Sequence, residues 1–259
     1  MGIKIVFFDI DGTLISQQHM YITEEVISEF TRLQDKGIKI CIATGRHSSE
    51  IEHLRLDQQF PFDAYVTLNG NYCYQKGHVI YSNPIPKEDV ENCVSYVEEH
   101  HLGCLFVEHD YMYVNRITDI FRKIQELVGA DEPTIDSSSR ALTNDIYQIS
   151  PFFIDQELQG MMDRMPHAKA TSWHPLGYDV IHREGGKHIG IKHVLDYFGF
   201  TAEEAMAFGD GENDIDMLDF VKHSVVMGNA HDRVKEHAEF VTKDVDHQGI
   251  EHAFAHYKL

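Results

Sequence analysis

Val6-Phe7-Phe8-Asp9-Ile10-Asp11-Gly12-Thr13-Leu14 decides how this chain folds. With Ile3 and Ile5 before it, the run through Phe8 is apolar and β-prone, the pattern of a strand buried on both faces. The run stops at two carboxylates spaced i, i+2, followed by Gly-Thr. A central strand has no reason to end in two like charges unless something there balances them. In open α/β sheets, ligands bind at the carboxyl ends of the strands. The pattern therefore points to a nucleophile and a cation site at a strand tip. The competing reading is a plain Asp-x-Asp-Gly turn, in which Asp bonds to the backbone and Gly supplies a positive φ.

Working outward, Thr23 can cap a helix that carries Val26, Ile27, Phe30 and Leu33 on one face, with Gly37 after Lys36 as its stop. Ile38 to Ala43 read as a second buried strand. Strand, helix, strand in about forty residues is a βαβ unit with a parallel pair and a right-handed crossover. The second strand ends at Thr44-Gly45-Arg46, and Ser48 or Ser49 can cap a helix running to about Leu56. A hydroxyl and free backbone N–H groups at such a tip can hold a phosphate oxygen. A plain strand-to-helix turn is the alternative, and Arg46 fits either an added charge or simple packing. Ala64 to Leu68 read as a third strand ending at Asn69-Gly70. Tyr72-Cys73-Tyr74 and His78 to Tyr81 flank Gln75-Lys76-Gly77, a hairpin signal.

Pro84 and Pro86 mark a boundary, after which the pattern changes. Val90, Cys93, Val94 and Val97 outline one helix. Cys104 to Glu108 and Tyr111 to Asn115 outline paired strands, and Ile117 to Val128 a second helix. Asp131 to Asp145 reads as a polar loop. Ile146 to Ile154 is strand-like, with Pro151 placing its end or an edge there. A short helix over Gln156 to Met165 and a strand pair, Ala168 to His174 with Tyr178 to His182, complete an α+β block with an antiparallel sheet. The first pattern resumes at Gly185-Gly186-Lys187, with a helix running to Gly199. Lys187 at a helix start opposes the macrodipole, which favours a role with an anion. Ala205 to Phe208 is another buried strand. It ends at Gly209-Asp210-Gly211-Glu212-Asn213-Asp214, with Asp216 beyond. Four acids in one loop repel one another without a cation. The calcium-loop pattern is absent, and Mg²⁺, held by a few carboxylates with water and phosphate, fits better. Val225 to Gly228 adds a strand, and the Val234 and Ile250 regions add covering helices.

Composition narrows the function classes. The 259 residues carry a formal net charge of −20, which argues against nucleic-acid backbones and anionic membrane surfaces as partners. No apolar run approaches the ~20 residues a membrane helix needs. The opening residues enter a strand pattern directly, without a signal-peptide pattern. Cys41, Cys73, Cys93 and Cys104 form no CxxC pair, and an expectation of small core thiols in a reducing cytoplasm follows. Most of the 18 histidines read as solvated surface groups. His252 and His256 have metal-ligand spacing but no evident third ligand, so they too read as surface.

Four stretches, in this order, resemble the motifs of the haloacid-dehalogenase-like phosphatases: Phe8 to Leu14, Ile42 to Arg46, Gly186-Lys187, and Phe208 to Asp214. The whole pattern resembles the Cof-type branch of sugar-phosphate phosphatases, over nearly the entire chain. The resemblance implies an α/β fold: a Rossmann-like, doubly wound parallel sheet over residues 1–83 and 184–259, with an α+β cap inserted at 84–183. It implies Asp9 as the nucleophile that forms an aspartyl-phosphate and Asp11 as the general acid–base. Asp9, Asp210 and the backbone carbonyl of Asp11 would ligate Mg²⁺, with Asp214 orienting a metal-bound water. Thr44, Gly45, Lys187, Asn213 and the Ile10 N–H would hold the phosphoryl oxygens. The implied activity is hydrolysis of a small phosphorylated metabolite, with the cap choosing which one. A phosphomutase or other phosphotransferase would need an acceptor that outcompetes water. A phosphometabolite-binding regulator would need no general acid, and the intact acid pair weighs against it.

Overall fold

The computed structural model describes residues 2–128, 132–153, 156–174 and 177–259, without the side chains of Val128, Trp173 and His174. The expectations that touch Asp131, Ile154 and the Val128 side chain lie outside the described residues. The chain divides into two compact units, Met1–Ser82 with Gly186–Leu259, and Asn83–Gly185. The elements in chain order begin with β1 (Ile5–Phe8), α1 (Glu24–Asp35), β2 (Lys39–Ala43), α2 (Ser48–His53), α3 (Leu56–Gln59), β3 (Ala64–Thr67), β4 (Tyr72–Gln75) and β5 (His78–Ser82). The second unit contributes α4 (Lys87–Glu99), β6 (Cys104–Val107), β7 (Met112–Val114), α5 (Asp119–Val128), β8 (Gln148–Pro151), α6 (Gln156–Met162), β9 (Ala168–His174) and β10 (Gly177–His182). The first unit resumes with α7 (Lys187–Phe198), β11 (Ala205–Gly209), α8 (Ile215–Phe220), β12 (His223–Val226), α9 (Asp232–Lys235), β13 (Phe240–Val241) and α10 (Gly249–Tyr257).

In the first unit the sheet order among the described residues is β13-β12-β11-β1-β2-β3-β4-β5. β1 pairs in parallel with β11 (Phe8 opposite Phe208) and with β2 (Phe8 opposite Ile42). All four β1 residues are fully buried, because helices cover both faces. Val6 and Phe8 face a cluster with Phe30 and Leu33 of α1 and Phe254 of α10. Ile5 and Phe7 face the opposite cluster, with Ile191, Val194 and Leu195 of α7 and Met217 and Leu218 of α8. This is a doubly wound sheet, and the chain leaves β1 toward β2 while β11 arrives on its other side. In open α/β sheets such a reversal marks the carboxyl ends of the strands, here those of β1 and β11, as the ligand-binding end. Only the edge departs from parallel pairing: β4 and β5 run antiparallel, joined at Lys76 and Gly77, whose φ values of 46° and 79° suit a two-residue hairpin turn.

In the second unit the order is β7-β6-β8-β10-β9, antiparallel throughout. Val90, Cys93 and Val97 of α4 and Met161 of α6 pack on Phe106, Tyr113, Ile149 and Val180. Val114 of β7 and Phe152, just after β8, instead meet Phe121 and Ile124 of α5. Pro151 ends β8 as expected, but β8 is an interior strand between β6 and β10, not an edge. All four cysteines are buried and free. Among the described residues, no helix is long and apolar enough to cross a membrane.

Two local expectations are corrected. The helix after β2 is capped by His47 rather than Ser48 or Ser49. Its Nδ1 accepts from the Ser49 N–H at 3.2 Å, and the Glu50 carboxylate accepts from the His47 N–H at 2.8 Å. That helix also ends at His53, with Leu54 as its C-cap, short of the expected end near Leu56, because Arg55 takes a left-handed conformation (φ 55°). The Gln59 amide nitrogen donates to the carbonyls of Leu54 and Arg55, the latter also accepting the Gln58 and Gln59 N–H groups, so the chain at the break keeps its hydrogen bonds.

Candidate active site

Asp9 follows directly on β1, and its N–H donates to the Phe208 carbonyl at 3.0 Å, so its backbone continues the parallel ladder. Its carboxylate is buried. Lys187, the first residue of α7, is fully buried, and its Nζ lies 2.6 Å from Asp9 Oδ1 and 2.6 Å from Asp214 Oδ1. Burial alone would lower the Lys187 pKa, but Asp214 and Asp9 hold it above its usual value. The other Asp214 oxygen, Oδ2, accepts the N–H groups of Asp210 and Gly211 at 2.9 Å each. Asp214 thus folds its own loop back on itself while it anchors the ammonium.

Asp210 points into the same space. Its Oδ1 accepts from Thr13 Oγ1 at 3.1 Å and its Oδ2 from Asn229 Nδ2 at 3.0 Å. Gly12 (φ 77°) permits this approach, since a Cβ there would lie 2.1 Å from Asp210 Oδ2. Asp9, Asp210 and Asp214 each bring a carboxylate oxygen within 4.8 Å of the others, the one such metal-competent group among the described residues. Three carboxylates face one ammonium. Burial pushes the Asp9 carboxyl up to about 7, against the pull of Lys187 and with Asp214 and Asp11 adding to it. Burial, Asp9 and Asp214 push Asp210 up to about 8. The cluster is short of positive charge.

The rest of the acid-rich loop disperses its charge, contrary to the expected crowding. Glu212 pairs with Arg233 at 3.3 Å and Asp216 with His188 Nδ1 at 2.7 Å. Only Asp210 and Asp214 turn toward Asp9. His252 and His256 pack around Phe240 instead of making a metal pair: the His256 ring stacks on it at 3.9 Å, and His252 Nδ1 lies 3.0 Å from Thr242 Oγ1.

Asp11, two residues beyond Asp9, is more than half exposed and sits in a fork with Arg46: Nε to Oδ2 at 2.7 Å, Nη2 to Oδ1 at 2.8 Å. The role that sequence reasoning left open for Arg46 is therefore a charged one. Burial opposes its charge, yet Asp11 and Glu50 hold its pKa above the ordinary range. At the tip of β2, the expected set of free N–H groups is reduced. The Thr44 N–H donates to the Val66 carbonyl at 2.8 Å and the Arg46 N–H to Thr44 Oγ1 at 3.1 Å. The N–H groups of Gly45 and Ile10 make no hydrogen bond among the described residues. Asn213 Nδ2 donates to Asn69 Oδ1 at 3.2 Å, and the Asn69 N–H donates to the Thr44 carbonyl at 3.1 Å.

Asn69, Thr13 and Asn229 are site neighbours that sequence reasoning missed. Signals existed for Thr13, which stands inside the first acidic motif, and for Asn69, which precedes a glycine at the end of a buried strand; in the structure Asn69 takes φ 51°. The loop it starts is tight. Gly70 has φ 84°, and a Cβ there would lie 2.0 Å from the Gly186 carbonyl oxygen and 2.9 Å from the Lys187 Cα. Gly70→Ala is therefore expected to lower stability by about 3 kcal/mol or more, because overpacking and left-handed strain add and the obstacle is backbone. Urea unfolding checks this; a loss under about 1 kcal/mol would contradict the close approach.

A family model for haloacid dehalogenase-like hydrolases matches residues 6–254. YkrA of Bacillus subtilis (strain 168) is 31% identical, over 98% of this chain and 97% of its own. The solved structure of BT1666 from Bacteroides thetaiotaomicron, described among phosphatases of that superfamily, is 32% identical with a TM-score of 0.91, covering 99% of this chain and 96% of its own. BT4131, described as a subclass IIB sugar phosphatase, is 33% identical with a TM-score of 0.87, covering 98% and 99%.

Proposed function

This chain belongs to the haloacid dehalogenase-like hydrolases, in their Cof-type branch, and on that premise we propose that it is a Mg²⁺-dependent phosphatase of small phosphorylated metabolites, sugar phosphates foremost. One observation carries the reading: a buried carboxylate at the tip of the central strand, held by a buried lysine and facing two further carboxylates. Asp9 is the nucleophile. Its carboxylate oxygen bonds to phosphorus as the bond from phosphorus to the leaving oxygen breaks, which yields an aspartyl-phosphate on Asp9. Asp11 gives its proton to the leaving oxygen and then takes one from the water that attacks phosphorus in the second half. To do so it exchanges the Arg46 fork for the substrate. Lys187, Thr44, Asn213 and the N–H groups of Gly45 and Ile10 hold the phosphoryl oxygens, whose spread charge is the main thing to stabilise.

The donor set suits Mg²⁺: all oxygen, rich in carboxylate, and short of positive charge. Asp9, Asp210 and the Asp11 carbonyl would hold the ion, and Asp214, engaged with Lys187 and two backbone N–H groups, would stand behind them. When bound, Mg²⁺ offsets the carboxylates and the phosphoryl charge. We assign substrate choice to the Asn83–Gly185 unit, because the gathered residues above address a phosphoryl group and all come from the other unit. The four buried free thiols suit a reducing compartment, and we place the protein in the cytoplasm. Nucleic acid and membranes are not partners on this reading, given the net charge of −20.

The test is inorganic phosphate release from a panel of phosphorylated metabolites, with and without an added acceptor. Release to water supports the reading. Transfer to an acceptor in preference to water marks a phosphotransferase, and tight binding without turnover marks a regulator.

A pH dependence follows from the carboxylate cluster. Asp9 and Asp210 stand near 7 and 8 in the metal-free protein, above their unfolded value of 3.8. Between those values the native state binds more protons than the unfolded chain, so metal-free stability falls as pH rises from about 5 to 8. Mg²⁺ must displace those protons, so its affinity rises over the same window and binding releases protons. Unfolding midpoints in chelator at several pH values, and calorimetry in buffers of different ionisation enthalpy, check both signs. A metal-free midpoint that climbs from pH 5.5 to 8 would contradict the assignment.

A further inference from the structure

Asn229 belongs to none of the sequence motifs and has no part in the chemistry above. It is exposed, on the loop after β12. Its amide nitrogen donates to the Gly12 carbonyl at 2.9 Å and to Asp210 Oδ2 at 3.0 Å, while its amide oxygen accepts the Val245 N–H at 3.0 Å. A flipped amide would set oxygen against two oxygens and N–H against N–H, so the network fixes its orientation. One side chain therefore joins the loop after β1, the loop after β11 and the turn at Val245–His247. The loop bearing it is closely placed. The Met227 N–H donates to the Gly209 carbonyl and the Gly228 N–H to the Lys243 carbonyl, each at 3.0 Å. A Cβ on Gly228 would lie 2.7 Å from the Asp244 nitrogen.

We propose that Asn229 is a positioning residue for the divalent cation: it locks the Asp210 carboxylate against the loop that carries Asp9 and Asp11. This rests on the Mg²⁺ reading above. The two N–H bonds of one planar amide nitrogen fix the spacing between Asp210 Oδ2 and the Gly12 carbonyl. With Thr13 on Oδ1, both oxygens of Asp210 are held from neighbouring loops before any ion arrives. Without Asn229 the carboxylate must be ordered during binding, and that cost appears in the ion's affinity. Because Asn229 is exposed, water can replace its bonds in a truncated variant, and the fold survives.

The experiment is calorimetric titration of Mg²⁺ into metal-free wild type and Asn229→Ala, without substrate. The variant is expected to bind about tenfold more weakly, with its unfolding midpoint in chelator unchanged. The Mg²⁺ concentration for half-maximal phosphatase activity rises by the same factor, while kcat at saturating Mg²⁺ and KM for substrate stay near wild type. Asn229→Ser keeps one donor too short to span both oxygens, and it gives the same test should the alanine variant unfold. Equal Mg²⁺ affinity in variant and wild type overturns the proposal alone, including the case in which only metal-free stability falls, which marks a plain loop tie. No Mg²⁺ binding by the wild type overturns the metal reading and this proposal with it.

Discussion

Asp9→Asn is expected to abolish phosphate release while leaving the fold intact. An amide oxygen cannot become the acyl oxygen of an aspartyl-phosphate, so the covalent route closes, and a loss of at least about 10³-fold follows. The fold should not suffer, for a reason visible in the site. Lys187 keeps Asp214 Oδ1 at 2.6 Å as its partner when Asp9 loses its charge. Asp9 is also held well above the usual carboxylate range by burial, with Asp214 and Asp11 adding to it, so a neutral side chain there relieves repulsion. The metal-free unfolding midpoint of the variant should equal or exceed that of wild type near pH 8. Mg²⁺ should bind more weakly, since a carboxylate ligand is gone. Turnover by a folded Asp9→Asn protein within about tenfold of wild type would sink the nucleophile assignment. A phosphorylated acyl group, trapped with hydroxylamine in wild type and missing from the variant, would support it directly.

Much of the core was legible because its signals are local. β1, β11 and β2 after Lys39 are continuous apolar runs, as strands covered on both faces must be. Thr23 caps α1 as its position suggests, accepting from the Val26 N–H. Lys76-Gly77 announces the β4–β5 turn. The helix failures are local choices that carry no strong residue signature. Nothing near Arg55 signals a left-handed break, and a histidine cap at His47 is an uncommon use of that side chain. In the site, the acid pair at the end of an apolar strand and the lysine at a helix start were readable. Asn69 meets Asn213 from 144 positions away and Asn229 meets Gly12 from 217 positions away. The Asn69-Gly70 pair signals a turn but not the partner of its amide, and nothing around Asn229 signals its partners either. The same holds for the charge balance of the acid loop: its four acids look alike in sequence, yet Arg233 and His188 take two of them aside.

Lys187→Met is expected to cost both stability and activity, and the loss should depend on pH. The ammonium has no exposed surface and bridges Asp9 and Asp214, so its removal leaves two buried carboxylates without their cation. Breaking a buried pair from one side typically costs about 3–5 kcal/mol. The site can answer by taking up protons, which is cheap at low pH and costly at high pH. The loss in chelator should therefore be small near pH 5.5 and approach the full value near pH 8. Adding Asp214→Asn should recover part of that stability, because the amide oxygen can still accept the Asp210 and Gly211 N–H groups while one buried charge disappears. Activity should not return, since neither variant restores a cation to the phosphoryl oxygens or to Asp9. Urea unfolding of the single and double variants at the two pH values separates these terms. A Lys187→Met protein within about 1 kcal/mol of wild type at pH 8 in chelator would show that the buried ammonium does not hold the carboxylate cluster together.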